Sequence, residues 1–362
     1  MADRMDFTVL IPSAAGPGCV NLTRGLKRIS GNIRTIGADA SPYFLFAAET
    51  DERVLVARRE PEDAYLEALI GLCHEWNVDF IFPNNSLDGA ILTRHQEKLP
   101  CPVFLPSPEA FDCGENKWES WKRFKEHNLP VPSTTLVHDV AEMEAAFGDL
   151  PGDRVWVRGA GIPGKGIGVA SLPARSVKQA QAWIDYWDGW GQMTLSEYLP
   201  GANLTWLGVW NYGELVMSQC RQRDAYVIPH VSPSGITGAP AISHTVHRED
   251  INRLGPAACL AIDPNFHGPA FVDFKENDDG VACITEINVG RFGTTHNFYS
   301  QAGASFPEVV LRLAMGLSLP EWVKSYDVLP ADLYWVRTLD VGPVLVTRQD
   351  IERLGLTKRI ER

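Results

Sequence analysis

The chain has 362 residues, of which 45% are hydrophobic and 22% are charged. This composition is typical of a globular protein of two or three domains and excludes a fibrous or disordered one. With 33 Lys and Arg residues against 45 Asp and Glu residues, the net charge is −12, and the sequence has no basic stripe. These features argue against nucleic acid and membrane surfaces as partners.

Cysteine usage and apolar runs bear on the cellular compartment. The seven cysteines form no Cys-x-x-Cys pair, so the sequence predicts neither a disulfide framework nor a thiolate zinc site. No apolar run approaches the about 18 residues of a membrane span, and the apolar stretch 7–11 is too short for a signal peptide. We therefore expect an unprocessed cytoplasmic protein.

Strand and helix patterns alternate through the first third of the chain. Strands are predicted at 7–11, 33–38, 54–57, 79–83 and 102–105. An amphipathic helix through Tyr65 and Trp76 lies between two of them, and the alternation predicts a doubly wound parallel α/β domain. The glycine-rich turn 12–18 does not match G-x-G-x-x-G, which disfavours a dinucleotide site.

The remaining patterns predict a smaller α/β unit and then a β-rich region. A helix opens at Asn116 and ends before the prolines at 130 and 132. Strands are predicted at 133–137, 154–158 and 167–172, and helices at 141–147 and from Ser176 onward. From residue 193 to about 290 the pattern predicts β hairpins, and an amphipathic helix follows at 306–315.

One predicted hairpin carries the strongest chemical signal. Asp279-Gly280 is a favoured two-residue turn, and a turn there places Asp273 directly opposite Glu286. Two facing carboxylates repel each other unless a cation lies between them, and Asn288 emerges on the same face as a neutral oxygen ligand. An all-oxygen set suits Mg²⁺ or Mn²⁺. The alternative is a solvated hairpin face with unpaired surface charges.

A glycine-rich loop follows the strand that ends at Arg158. A strand pattern, not a helix, comes after the loop, so it fits neither a Rossmann nor a Walker motif. It resembles a flap whose backbone N–H groups close over a triphosphate, with Arg158 and Lys165 supplying positive charge. The candidate residues within the loop are Gly161, Gly164, Lys165 and Gly166. A flexible hairpin tip is the alternative.

Two weaker groups are candidates for substrate contacts. Arg221 and Arg223 alternate on a predicted strand and share a face, so they could bind a substrate carboxylate or the transferred phosphate, although exposed strand charges would look the same. Asn84, Asn85 and Ser86 follow a first-domain strand at its carboxyl end, where an open α/β sheet presents its ligand loops; an ordinary turn is the alternative. Neither His-Glu-x-x-His nor Gly-x-Ser-x-Gly occurs, which disfavours hydrolase chemistry.

In combination, these motifs resemble the ATP-grasp superfamily, particularly its carbamoyl-phosphate-synthase-like and carboxylate–amine ligase members. The similarity covers most of the chain and includes Asn-Lys-Trp at 116–118, the glycine flap, Ser-Glu-Tyr-Leu-Pro-Gly at 196–201 and Glu-Ile-Asn at 286–288. It implies an ATP-grasp fold of mixed α/β and α+β class. The implied parts are an N-terminal doubly wound parallel α/β domain at 1–113, a linker helix and lid at 114–197, a C-terminal antiparallel-sheet domain with the metal site at 198–320, and a tail packed on the core at 321–362.

The resemblance also implies roles for the candidate residues around ATP. Lys117 and Arg158 would contact the phosphates, with Arg158 standing where many members carry lysine. Glu197 and the backbone of Tyr198 and Leu199 would hold the adenine. The position at which many relatives place an acidic residue against the ribose is occupied here by Asn203.

The metal and catalytic residues follow from the same resemblance. Asp273, Glu286 and Asn288 match the family's Mg²⁺ ligands. Many members carry an arginine two residues after the metal-binding asparagine, whereas Arg291 follows Asn288 by three. A bulge at Gly290 would restore the aim of Arg291 towards the transition state or a carboxylate. We therefore treat Arg291, together with the two strand arginines, as the catalytic candidates.

The reaction implied is an ATP- and Mg²⁺-dependent ligation. The γ-phosphoryl group of ATP would pass to a substrate carboxylate, and an amine would attack the acyl phosphate to form an amide, with release of ADP and phosphate. The expected partners are a small-molecule carboxylate and amine, and the resemblance leans towards a homodimer. Two alternatives remain: a carboxylate or carbamate phosphotransferase that forms no amide, and a non-catalytic nucleotide-binding subunit.

Overall fold

The computed structural model describes residues 5–162, 171–236, 238 and 240–338. The candidates Gly164, Lys165 and Gly166 lie outside the described residues, as does most of the tail expected at 321–362. The strands are β1 (Met5–Pro12), β2 (Gly31–Asp39), β3 (Glu52–Leu55), β4 (Phe80–Ile81), β5 (Thr134–Val137), β6 (Val155–Gly159), β7 (Ser171–Ala174), β8 (Met193–Glu197), β9 (Asn203–Asn211), β10 (Glu214–Tyr226), β11 (Pro240–Val246), β12 (Gly268–Glu276), β13 (Ala282–Val289) and β14 (Tyr334–Val336). The helices are α1 (Pro17–Leu26), α2 (Glu62–Trp76), α3 (Ser86–Arg94), α4 (Pro108–Glu115), α5 (Lys117–Glu126), α6 (Val140–Asp149), α7 (Val177–Tyr186), α8 (Glu249–Ile262), α9 (Asn297–Gln301) and α10 (Phe306–Ala314).

A parallel sheet in the order β3-β2-β1-β4 forms the N-terminal part. Successive residues of β1 face opposite sides of this N-terminal sheet: Val9 shares a core with Leu22 of α1, and Leu10 shares another with Leu69 of α2. Helices therefore cover both faces, which confirms the doubly wound arrangement. The strand predicted at 102–105 is wrong. The N–H of Ile81 donates to the carbonyl of Pro102, but a proline has no N–H with which to continue the ladder.

The second sheet, which we call the lid sheet, is antiparallel with the order β5-β8-β6-β7. One of its faces packs on α6 and α7 through Val155, Val157 and Leu195. Because side chains alternate along a strand, Trp156 and Arg158 of β6 point to the opposite face. The lid sheet therefore has one apolar face covered by helices and one polar, aromatic face turned towards the rest of the molecule.

The third sheet has six strands in the order β13-β12-β9-β10-β11-β14. The prediction of β hairpins throughout 193–290 is wrong in one segment, since α8 occupies Glu249–Ile262 and buries Ile251 and Leu254. Trp206 of β9 approaches this helix so closely that a Cβ at Gly255 would lie 2.4 Å from its ring. Glycine at this position lets the helix pack on the sheet.

Two helical glycines give a matched pair for testing this packing. We expect Gly255→Ala to lower the free energy of unfolding by about 1–3 kcal/mol, because the new methyl group overpacks against Trp206. Gly71→Ala in α2 should raise it by about 0.5–1 kcal/mol, because nothing lies within 4 Å of that position and alanine favours the helix. Urea unfolding of both variants measures the difference, and equal effects of the two changes would contradict this packing.

The apolar cores show how the sheets are joined. Residues of the N-terminal sheet and of the six-stranded sheet share two cores, one containing Leu10 and Trp206 and another containing Val9 and Phe271. The lid sheet has a core of its own. None of the helices in the described part of the chain combines the length and the apolar character needed to cross a membrane.

Candidate active site

The β12–β13 hairpin pairs Asp273 with Glu286, as the sequence predicted, but by a different turn. The predicted two-residue turn Asp279-Gly280 is wrong: the loop spans the five residues 277–281 and is closed by a hydrogen bond from the N–H of Asn277 to the carbonyl of Val281. An odd loop alone would put the two carboxylates on opposite faces. A bulge adds one residue to β13 between the Asp273 and Phe274 pairs and restores the register.

The residue in this bulge, Thr285, also connects the hairpin to the lid sheet. Its hydroxyl donates to the carbonyl of Asp273 over 3.0 Å. Its own carbonyl accepts a hydrogen bond of 2.8 Å from Nη2 of Arg158. The bulge thus fixes the position of one acidic residue and of one basic residue from the facing sheet.

Two cations surround the Glu286 carboxylate. Nζ of Lys117 and Nη1 of Arg158 each lie 3.6 Å from its Oε2 atom. Burial alone would raise the pKa of the Glu286 carboxyl, but Lys117 and Arg158 outweigh it and lower the pKa to about 2. Glu286 is therefore ionised throughout the physiological range. Lys117 reaches this position from the first residue of α5, where the side chain of Asn116 caps the helix.

The second carboxylate is held from within the six-stranded sheet. Oδ1 of Asp273 accepts a hydrogen bond of 2.8 Å from the hydroxyl of Thr205, and it also accepts one from Arg223. Burial alone would lower the pKa of the Arg223 guanidinium, but the charge of Asp273 raises it. Both acidic side chains of the hairpin are thus paired with basic ones. Asp273 is paired with an arginine of the same sheet, and Glu286 is paired with a lysine of α5 and an arginine of the lid sheet.

The donor set fits a divalent ion that arrives with phosphates. Asp273, Glu286 and Asn288 offer carboxylate and amide oxygens on adjacent strands, and Mg²⁺ prefers such ligands. No group of three acidic, histidine or cysteine residues that could hold a metal alone occurs among the described residues. Four cationic side chains surround these groups, Lys117, Arg158, Arg223 and Arg291. Glu115, whose carboxylate lies 3.9 Å from Arg291, adds a third negative charge, so four positive charges face three carboxylates. The surplus of one positive charge disfavours a free cation and attracts a polyphosphate.

A cavity between the lid sheet and the six-stranded sheet brings most of the candidate residues together. Its lining contains the candidates Lys117, Arg158, Glu197, Tyr198, Leu199, Asn203, Arg223, Asp273 and Glu286. Gly161 and Arg291 line an adjoining cleft instead. Asn288 lies beside the cavity, where its amide donates to Oε1 of Glu286 over 3.4 Å and its oxygen accepts from Arg291.

Aromatic side chains form a large part of the cavity wall, and the sequence did not assign them there. Trp118 and Trp121 of α5 are stacked, with ring centroids 4.9 Å apart, and Trp156 and Tyr198 line the wall contributed by the lid. The available signal was two tryptophans three residues apart on a highly charged helix. Flat aromatic faces next to a cluster of cations suit a ligand with a planar base and an anionic tail.

This chain is similar to known proteins in its three-dimensional structure. No model of a protein family matches the chain, and no curated protein matches it. The biotin carboxylase domain of 2-oxoglutarate carboxylase from Hydrogenobacter thermophilus matches with a TM-score of 0.68 and 15% identity over 91% of this chain and 74% of that one. L-amino acid ligase from Bacillus licheniformis matches with a TM-score of 0.64 and 13% identity over 88% and 76%. N5-carboxyaminoimidazole synthetase from Staphylococcus aureus matches with a TM-score of 0.64 and 14% identity over 90% and 82%.

The chain has the ATP-grasp fold. The fold predicted from the sequence motifs is thereby confirmed. In this fold, the cavity lies where the lid sheet faces the six-stranded sheet, and the carboxylate pair lies at its floor.

The two strand arginines differ in their surroundings. Both lie on β10, where Arg221 is opposite Thr205, and Arg223 bonds to Asp273. Arg221 is only 7% exposed, and its Nη1 atom has no hydrogen-bond partner in the described part of the chain. Burial lowers the pKa of its guanidinium, although Tyr299 opposes the shift. A buried cation with an unused donor favours an anionic ligand at this place.

The Asn84–Ser86 candidates divide between structural and accessible positions. The side chain of Asn84 donates to the carbonyls of Gly18 and Gly293 and accepts from the N–H of Phe292. Asn85 caps α3 by accepting from the N–H of Leu87. The side-chain amides of Asn84 and Asn85 are therefore both hydrogen-bonded to backbone groups, which favours a structural role for these two residues. Ser86 lines the cleft that adjoins the cavity.

His296, which lies close to Arg221, gives a pH-dependent prediction. Burial lowers its pKa from 6.5 to about 4, and its Nδ1 atom lies 3.0 Å from the carbonyl of Gly293. Because the imidazole binds a proton more readily in the unfolded chain than in the folded one, protonation of His296 favours unfolding. The folded state is therefore not destabilised by this residue above pH 6.5 and loses stability as the pH falls from 6.5 towards 4. Between pH 7 and pH 5, we expect His296 to lower the free energy of unfolding of the native chain by about 2 kcal/mol, a contribution that is absent from His296→Gln. Urea unfolding at both pH values measures it, and the same decrease in both proteins would contradict the prediction.

Proposed function

We propose that this chain is an ATP- and Mg²⁺-dependent ligase that joins a carboxylate to an amine through an acyl phosphate. The observation that carries the proposal is the Asp273–Glu286 pair at the floor of an aromatic cavity, surrounded by four cationic side chains. The named activities of the compared structures include an amino acid ligase, which supports the same class of reaction.

The chemistry proceeds in two steps. A carboxylate oxygen attacks the γ-phosphorus of ATP, the bond between that phosphorus and the β–γ bridging oxygen breaks, and ADP leaves. The amine, after losing a proton, attacks the acyl carbon, and phosphate leaves with the electron pair of the broken carbon–oxygen bond. The overall change converts ATP, a carboxylate and an ammonium group into ADP, phosphate, an amide and one proton.

The cationic side chains stabilise the charge that develops on the transferred group. Lys117 and Arg158, which line the cavity within 3.6 Å of Glu286, would contact the γ-phosphoryl oxygens. Arg221, Arg223 and Arg291 would bind the substrate carboxylate and the acyl phosphate. These groups act by position and charge, because the protein itself forms no covalent intermediate.

A divalent ion fits the same floor of the cavity. Asp273, Glu286 and Asn288 would hold it, and it would neutralise charge on the phosphates when bound. Arg223 and Arg291 then have to release the oxygens that they contact. The surplus of positive charge means that the ion enters together with nucleotide.

The nucleotide base would lie against the lid. Glu197, Tyr198, Leu199 and Asn203 line the cavity beside the aromatic wall and would bind adenine and ribose. The loop residues Gly161, Gly164, Lys165 and Gly166 are proposed to cover the phosphates. A closed lid excludes water, which would otherwise hydrolyse the acyl phosphate.

A two-part assay tests the proposal. ADP release is screened over amino acids and small carboxylates, singly and in pairs, and hydroxylamine is then added in place of the amine to trap an acyl phosphate as a hydroxamate. We expect a donor carboxylate to give hydroxamate and a carboxylate–amine pair to give ADP and amide in equal amounts. Hydroxamate with no amide from any pair would favour the phosphotransferase. Nucleotide binding with no turnover over the whole panel would favour a non-catalytic subunit.

A further inference from the structure

A second cleft adjoins the cavity at the carboxyl edge of the N-terminal sheet. One side of it is formed by the residues at the carboxyl ends of β1 and β2, Ser13 and Ala40, and by Ser86, the first residue of α3 after β4. Lys117 and Arg291 form the side next to the cavity. Open α/β sheets bind ligands at this edge, because the loops diverge there and leave a crevice. The cleft therefore connects the edge of the sheet with the place where the acyl phosphate would form.

One arginine in this cleft is held rigidly. Nε of Arg59 donates to Oδ1 of Asp88 over 2.6 Å, and Nη2 donates to Oδ2 over 3.2 Å and to the hydroxyl of Ser13. Asp88 is completely buried and also accepts a hydrogen bond of 2.9 Å from the hydroxyl of Tyr65. The side chain of Arg59 is 31% exposed. Its guanidinium is thus fixed in orientation before any ligand binds.

The outer part of this guanidinium remains available for an anion. Within the described residues, Nη1 of Arg59 makes no hydrogen bond. Arg58 lines the same cleft, and no carboxylate of the described chain lies within salt-bridge distance of it. Asp88 forms the ion pair with Arg59, and the lining around them also contains Arg58, Asp39 and Glu60, so the free Nη1 donor, not a net charge, marks this end of the cleft. A small anion would complete the site.

The opposite end of the cleft offers a hydrogen-bond acceptor, the carboxylate of Glu115. Glu115, at the end of α4, has a buried Oε1 atom with no hydrogen-bond partner among the described residues. The nearest cation, Nη2 of Arg291, lies 3.9 Å from it, beyond hydrogen-bond distance. An ammonium group carries three donors and would satisfy this oxygen. Arg291 in turn bonds to Asn288, which places Glu115 beside the carboxylate pair.

We propose that this cleft binds the amine substrate, with its ammonium group on Glu115 and an anionic group on Arg59. The amine is accordingly a zwitterion, such as an amino acid or a phosphorylated amine. This inference rests on the proposed ligase function, since it assigns the second substrate of that reaction. The arrangement presents the nitrogen to the reaction centre and keeps the anionic group at the edge of the sheet.

Hydroxylamine separates the two steps experimentally, because it is uncharged and needs neither end of the cleft. The variants are Glu115→Gln and the double variant Arg59→Gln/Asp88→Asn, which leaves no unpaired buried carboxylate. We expect hydroxamate formation to stay within about twofold of the native rate, while KM for the zwitterionic amine rises about 10- to 100-fold, the loss of a charge-assisted hydrogen bond. The exposed Arg53→Gln is the matched control and should leave both values unchanged.

A set of amines identifies the anionic group. The probes are the common amino acids, β-alanine, O-phosphoethanolamine and ethylamine. Reaction with amino carboxylates alone, or with the phosphorylated amine alone, supports the proposal and names the anion. Ethylamine reacting as well as the zwitterions, or an unchanged KM in both variants, overturns it while hydroxamate formation keeps the ligase proposal intact. No hydroxamate from the native chain would overturn the ligase proposal, and this inference with it.

Discussion

Glu286→Gln should lower the rate of ADP release by roughly 100- to 1000-fold while the protein remains folded. Glutamine has nearly the same shape, and its side-chain oxygen can still accept the hydrogen bond from Asn288, so the packing is retained. It removes one of the two negative charges of the hairpin, and with it a proposed ligand of the divalent ion. The measurement is steady-state ADP release at saturating MgATP, with circular dichroism to verify folding.

The same hairpin supplies the control for this experiment. Glu276 lies at the end of β12 and pairs with Arg248 over 2.8 Å, and it is absent from the lining of the cavity. Glu276→Gln makes the same chemical change on the same ribbon, so its rate should equal the native rate. Equal rates for the native chain and Glu286→Gln would remove the metal assignment.

Lys117→Ala should raise the dissociation constant of ATP by about 10- to 100-fold, which corresponds to one charge-assisted hydrogen bond. Its ammonium group lines the cavity and lies 3.6 Å from Glu286. Removal takes away an attraction for the phosphates and leaves Glu286 less compensated, and both effects oppose binding of a polyphosphate. Isothermal titration calorimetry with a nonhydrolysable ATP analogue and Mg²⁺ measures the change.

Lys122 on the same helix provides the comparison. Its side chain is 41% exposed and pairs with Glu119 on the surface. Lys122→Ala changes the net charge of the protein by the same amount, so it separates a specific phosphate contact from general electrostatic attraction. If the two variants bind nucleotide equally well, Lys117 has no specific phosphate contact.

The fold was predictable to the extent that it depends on local patterns. The continuous apolar run at 7–11 gives the buried strand β1, and the Asn116 cap gives the start of α5. The helix α8 was missed because Gly255 and Pro256 interrupt its sequence pattern. The reason for the glycine is Trp206, a residue far away in the sequence, so no local rule detects it.

The candidate site was predictable where it depends on strand alternation and not where it depends on distant contacts. The pairing of Asp273 with Glu286 was obtained from a turn that does not exist, and the bulge at Thr285 compensated for the error. Hydrogen bonds to another sheet help to fix that bulge, so the hairpin sequence alone cannot specify it. The structural use of Asn84 depends in the same way on Phe292, 208 residues later in the chain.

The lid sheet has a core of its own, and the chain enters this unit through 127–133 and leaves it through 198–202. A rigid-body rotation of the lid would therefore bend the backbone at these two crossings and leave the core of the lid intact. Tyr198 and Leu199 belong to the second crossing and also line the cavity. If a nucleotide base binds there as proposed, it would rest on the crossing itself, and its binding would couple to any rotation of the lid.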